Sequence, residues 1–226
     1  MPIDAVLVPR GAEYQVVRQG FGGGGTRARI VAIPAGLAAG AFLETLPYRS
    51  WQRVWVLGLC GSMSRYLPVG TIVIYRHCRQ LGAPEALLAC DRQPIQLLQA
   101  YLPEAKLVGA LTSDRVITAA REKRRLAEAY QAQVVDMEGF ALLQVLAAAG
   151  VEVGMVRVVS DGSDHDLPAI GATIADGAIQ PLPLALALLK DPLAATRLVG
   201  GSLQALGVLK EISVRLYATN QTPPDR

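Results

Sequence analysis

Aromatic residues make up only 5% of this 226-residue chain, and histidine occurs twice. Surfaces that bind nucleic acid are broadly basic and offer aromatic rings for stacking. A net charge of +3 with so few aromatics supports neither feature, so nucleic acid is not an expected partner. The one dense basic run, Arg121, Lys123, Arg124 and Arg125 with Glu122 inside it, reads as a solvated helix face. Cysteine is scarce as well. Cys60, Cys78 and Cys90 show no C-x-x-C spacing, so neither a disulfide framework nor a zinc site is indicated, and a reducing cytoplasm is the expected location. Long apolar runs are missing too. The nearest, residues 182–189, contains Pro183 and falls far short of the roughly 18 residues a spanning helix needs, so no stable membrane insertion is expected. Asp4 interrupts the short apolar run at residues 3–8, which suits a buried first strand better than a signal peptide.

What is present is enough apolar material, 51% of the residues, to bury the core of one α/β domain, expected over residues 1–217. The last residues, 218–226, are polar and proline-containing and read as a disordered tail. Patterning predicts strands at 3–8, 27–33, 54–57, 69–75, 107–112, 134–135 and 151–160. It predicts helices beginning near Glu13 and over 36–46, 119–131 and 140–149, the last closed by Gly150. Beyond residue 168 the pattern reads as helices broken by Pro181, Pro183, Pro192 and the Gly200-Gly201 pair. Two glycine-rich stretches stand out. Residues 19–26 read as a flexible hairpin, because no strong strand precedes them as a dinucleotide fingerprint would require. Gly58 to Gly61 reads as a tight turn that brings backbone N–H groups close to a ligand.

The most informative stretch is 134–161. It reads as a βαβ unit, two parallel neighbouring strands joined by one crossover helix. Open α/β sheets bind small molecules beyond the carboxyl ends of their strands. Asp136, Glu138 and Asp161 would emerge there and face one pocket. Arg157 lies among Met155, Val156, Val158 and Val159, and such a strand does not bury a guanidinium without an anionic partner.

Several blocks together resemble the nucleoside phosphorylase and nucleosidase family, in particular the methylthioadenosine/S-adenosylhomocysteine nucleosidases. They are the opening strand running to Glu13, Gly58 to Gly61 followed by Val69-Gly-Thr-Ile-Val, Ser113-Asp114, Asp136-Met-Glu-Gly139 and Arg157-Val-Val-Ser-Asp161. The resemblance implies a three-layer α/β sandwich with a mostly parallel, twisted central sheet that closes partly into a barrel, and a homo-oligomer. It implies cleavage of the N-ribosidic bond of a purine nucleoside or a related compound, with no metal or redox cofactor. By resemblance Asp161 protonates the departing base, Glu13 activates the attacking water and Arg157 orients the acids. Glu138 receives the ribose hydroxyls and Met137 packs on the sugar, while Asp136, Leu59, Cys60 and Val116 complete the substrate surface.

The departures from the family pattern bear on the reaction. Leu59 stands where a serine or threonine commonly binds phosphate or water, and Val56 where hexameric phosphorylases carry an arginine. A phosphate would lack a hydroxyl donor and a charged partner, so hydrolysis is expected ahead of phosphorolysis. Val116 replaces a base-stacking aromatic. The stretch after Asp166 resembles the hopanoid-associated phosphorylases, which act on a lipid-linked nucleoside. A phosphorylase, including one for a lipid-linked adenosyl substrate, and a non-catalytic nucleoside-binding protein therefore stay open as alternatives.

Overall fold

The computed structural model describes residues 3–22, 28–168, 174–175, 178–179 and 192–221, with side chains of the last helix described through residue 218. Its strands are β1 (Ala5–Pro9), β2 (Arg29–Ile33), β3 (Arg53–Ser62), β4 (Ile72–Gln80), β5 (Ala83–Ala89), β6 (Lys106–Thr112), β7 (Val134–Asp136) and β8 (Glu152–Asp161), with the two-residue β9 (Ile174–Ala175) and β10 (Ala178–Ile179). Its helices are α1 (Ala12–Gly20), α2 (Ala38–Leu43), α3 (Arg92–Tyr101), α4 (Ala120–Tyr130), α5 (Gly139–Ala148) and α6 (Pro192–Gln221).

β3 and β8 form the spine of the sheet. They run parallel from Arg53↔Glu152 to Gly61↔Asp161. Val54, Val56 and Cys60 of β3, with Val153, Met155 and Val159 of β8, join one apolar cluster. Trp55, Leu57, Val156 and Val158 join the opposite one. A sheet buried on both faces reads as an almost unbroken apolar run, which is why these strands stand out in the sequence. Helices α2 and α5 cover the first face, through Ala39, Leu43, Phe140, Leu142, Leu143 and Leu146. Helices α1, α3 and α6 cover the second, through Val17, Leu98, Ala205, Leu209, Ile212 and Leu216. The expected three-layer arrangement follows.

The sheet also closes on itself. β8 pairs in parallel with β3 and antiparallel with β4, β4 pairs in parallel with β6, β6 with β7, and β7 returns antiparallel to the end of β3. These five strands make a closed ring, and β1 with β2 extend it in parallel beyond β3. Among the described residues no helix is long and apolar enough to cross a membrane.

Four sequence expectations need correction. First, β7 and β8 are not neighbours: α5 carries the chain over β3, which pairs with both, and β7 runs antiparallel to β3 while β8 runs parallel to it. Barrel closure brings the end of β3 between them, a long-range pairing that local periodicity does not report. Second, Gly58 to Gly61 is not a turn but the interior of β3. Third, Gly200 and Gly201 do not break α6. A Cβ added at Gly201 would lie 2.4 Å from the Ser160 carbonyl oxygen, so the glycine lets the helix cross the end of β8. That contact offsets a helix-propensity cost of about 1 kcal/mol. Fourth, α6 runs through Gln221, into the stretch expected to be disordered. Strand β5 and helix α3 have no counterpart among the elements expected from the sequence. The hairpin expected at 19–26 and the apolar segment 182–189 fall largely or wholly outside the described residues.

Candidate active site

Glu13 sits in the first turn of α1, whose N-cap Gly11 takes φ 95°, a left-handed value that favours glycine. The Leu59 N–H donates to its Oε2 at 2.7 Å. A helix N-terminus and an N–H donor both favour the charged carboxylate. Burial works against them and is the largest influence; Arg157 pulls down, while Glu138 and Asp136 push up. The balance raises the Glu13 carboxyl to about 7.

Arg157 projects from β8 opposite Gly58 and is fully buried. Its Nη2 donates to Asp136 Oδ2 and to Glu138 Oε2, each at 3.3 Å. Burial opposes its charge, but Asp136, Glu138, Tyr75 and Glu13 outweigh burial and push it up, so the guanidinium stays charged. Among the described residues its Nε and Nη1 have no acceptor. A Cβ added at Gly58 would lie 2.1 Å from Arg157 Nη1 and 2.6 Å from Glu13 Oε2, so both atoms occupy the space over that glycine. The glycine is there for close approach, not for a turn. Gly58→Ala is therefore expected to displace the guanidinium and the carboxylate together and to lower the melting temperature; parallel melting curves check this.

Glu138 and Asp136 hold the guanidinium from the β7–α5 junction. Glu138 Oε1 accepts the Gly36 N–H at 3.0 Å, at a residue with φ +78°, and Met137 lies half-buried beside that glycine. Burial is the largest influence on Glu138 and raises its carboxyl; Arg157 opposes and Asp136 adds to the rise. Asp136 differs from the expected substrate contact. Its side chain is 1% exposed, its Oδ1 accepts from Thr112 Oγ1 at 2.7 Å, and its carboxylate accepts the Gly139 N–H at 3.2 Å. Thr112 Oγ1 in turn accepts the Phe140 N–H at 2.8 Å. These contacts use Asp136 to mount Arg157 and the start of α5.

Asp161 stands apart from this cluster, at the end of β8. The register between β3 and β8 shifts at Cys60/Gly61, so that Ser160 is passed over and Asp161 pairs with Gly61. A Cβ at Gly61 would lie 3.0 Å from Asp161 Oδ2. From Gly58 to Gly61 is three residues of extended strand, about 10 Å. Cys60, between them, is the link: burial pushes its thiol up, with Arg157 opposing and both Asp136 and Asp161 adding to the rise. Leu59 is half-buried and contributes its backbone N–H; Val116 is half-buried in the segment leading into α4.

The partner of Asp161 is a residue that the charge pattern of the sequence assigns to solvent. Lys123 Nζ donates to Asp161 Oδ2 and, at 2.8 Å, to the Gly162 carbonyl, with a side chain only 1% exposed. Arg121, Arg124 and Arg125 are exposed as expected. Helical spacing holds the missed signal: Ala120, Lys123 and Leu126 recur every three residues on the inward face, so the lysine lies in an apolar stripe. Thr112 and Gly36 were also missed, one a buried hydroxyl and the other a backbone donor. Among the described residues no group of three or more His, Cys, Asp or Glu could hold a metal ion.

The family model described as the phosphorylase superfamily matches residues 16–190. The chain belongs to that superfamily. Among solved structures it is similar to a 5'-methylthioadenosine/S-adenosyl homocysteine nucleosidase of Helicobacter pylori, with 15% identity, a TM-score of 0.68, and coverage of 94% of this chain and 98% of that one. It is also similar to a futalosine hydrolase mutant of the same organism, with 16% identity, a TM-score of 0.62, and coverage of 70% and 89%. A putative nucleosidase of the first kind from Francisella philomiragia gives 13%, 0.65, 94% and 98%. No curated protein matches the chain. At these identities the likeness concerns the fold: a mixed α/β domain with a mostly parallel central sheet.

Proposed function

We propose that this protein hydrolyses the N-ribosidic bond of a purine nucleoside or a close relative. The observation that carries the reading is Glu13, a carboxyl raised to about 7 beside the unpaired N–H groups of Arg157. A general base works best when its pKa lies near the operating pH. Water attacks C1′ and loses its proton to Glu13, while Arg157 donates hydrogen bonds to the attacking oxygen. Glu138, whose two oxygens each keep a lone pair, accepts from the ribose hydroxyls. The C1′–N9 pair of electrons leaves with the base, which takes a proton from Asp161. Solvent then restores the proton to Asp161 and removes the one on Glu13. Leu59 and Val56 offer phosphate neither hydroxyl nor charge. Relatives whose names include nucleosidase and hydrolase support the same class.

Incubation with methylthioadenosine, adenosine, inosine and S-adenosylhomocysteine, with and without phosphate, is expected to release free base from at least one of them independently of phosphate. Release that requires phosphate would replace hydrolysis by phosphorolysis. Release from none, together with calorimetric binding, would favour a nucleoside-binding protein. Because Glu13 acts only when deprotonated, kcat/KM is expected to rise with pH through about 7. By resemblance to the family, the active form is a homo-oligomer.

A further inference from the structure

We propose that Lys123 is the positioning residue for the acid of this reaction: it fixes which oxygen of Asp161 faces the base and holds the backbone that carries it. The inference rests on the hydrolase reading above. One ammonium group donates both to Asp161 Oδ2 and to the carbonyl of the next residue, Gly162. Oδ2 holds the ammonium, while Oδ1 accepts only the Ser160 hydroxyl, at 3.1 Å, and keeps a lone-pair direction to meet a purine nitrogen. The two partners differ in access. Lys123 is 1% exposed and Asp161 14%, so the cation lies behind the acid and reaches the site only through it.

The rest of the junction serves the same geometry. Asp166 Oδ1 accepts the N–H of Ala120, the first residue of α4, at 2.7 Å. The Leu167 N–H donates to the Thr118 carbonyl at 2.8 Å. Helix α4 and the segment after Asp161 are therefore tied at both the lysine and the helix start. A buried ion pair is a weak source of stability, since apolar side chains of similar volume often do as well or better. What the contact does supply is one orientation of the Asp161 carboxyl group, with Oδ1 placed to carry the proton that goes to the base, at the end of a strand whose register shifts just before it.

The experiment compares two leaving groups. The base of inosine needs a proton to depart, whereas 7-methylinosine and 7-methyladenosine carry the positive charge already and depart without one. Lys123→Met, close to lysine in length, is expected to lower kcat on inosine or adenosine by about 100-fold, the lower end of a general acid's contribution, with KM little changed. Its kcat on the N7-methylated forms should change by less than a few fold. Asp161→Asn should show the same selectivity. Asp166→Ala, at an exposed position that does not threaten folding, should show it more weakly. Equal losses on both substrate types in the Lys123 and Asp166 variants, with selectivity kept in Asp161→Asn, would overturn the role of Lys123 alone. Equal losses in Asp161→Asn, or no base released by the parent protein, would overturn the acid assignment and this inference with it.

Discussion

Glu13→Gln is expected to lower kcat/KM by roughly 10²- to 10⁴-fold, to abolish the rise in activity through pH 7, and at the same time to make the protein more stable at pH 8. The first two effects follow from the role proposed for Glu13 as the base. The third follows from linkage. The Glu13 carboxyl titrates at about 7 in the folded protein against a reference of 4.5, so between those values the folded state holds a proton that the unfolded chain has released. Stability therefore falls as pH rises through that window. Above it, the buried charge costs at most about 3.5 kcal/mol, since a pKa difference of one corresponds to about 1.4 kcal/mol. Glutamine keeps the shape without the charge. Urea denaturation at pH 5 and pH 8 checks the sign: the gain over the parent should appear at pH 8 and shrink toward pH 5. A parent protein more stable than Glu13→Gln at pH 8 would mean that attraction to Arg157 exceeds the cost of burial.

Arg157→Met is expected to destabilise the fold by about 3–5 kcal/mol, the usual cost of breaking a buried pair on one side only. The guanidinium is the shared partner of Asp136 and Glu138, both at 3.3 Å, and of the Glu13 charge nearby. Without it three carboxyls crowd a buried site. Their repulsion is relieved by protonation, so the variant should recover stability as the pH falls, whereas a simple packing defect would not. Adding Glu138→Gln should return part of the loss, and a double-mutant cycle on urea midpoints would measure that coupling. Independent, additive losses would show that Glu138 and Arg157 are not coupled.

Of the two residues, Arg157 stands out in the sequence for a physical reason, whereas Glu13 is marked by family resemblance. An arginine between Val156 and Val158 demands anions, but the ones it meets are Asp136 and Glu138, although Glu152 and Asp161 lie nearer along the chain. Lys123 reads the other way because four basic residues in five suggest a solvated face, and only the three-residue spacing with Ala120 and Leu126 argues otherwise. The glycines of β3 mislead similarly. Gly58 and Gly61 carry no local mark separating a turn from a strand that must leave room for Arg157, Glu13 and Asp161.

The sequence by itself determined the mixed α/β class and most of its elements, though not β5 or α3, because apolar periodicity reports which faces must leave water and is a local property. It also offered the charged side chains of the candidate site, four carboxyls and a guanidinium. Tertiary structure alone decided that β3 lies between β7 and β8, that Asp136 mounts Arg157, and that Asp161 is held by a lysine from another helix. Those outcomes depend on pairings between segments tens of residues apart. Ring closure of the sheet sets them, and no window along the chain contains both partners.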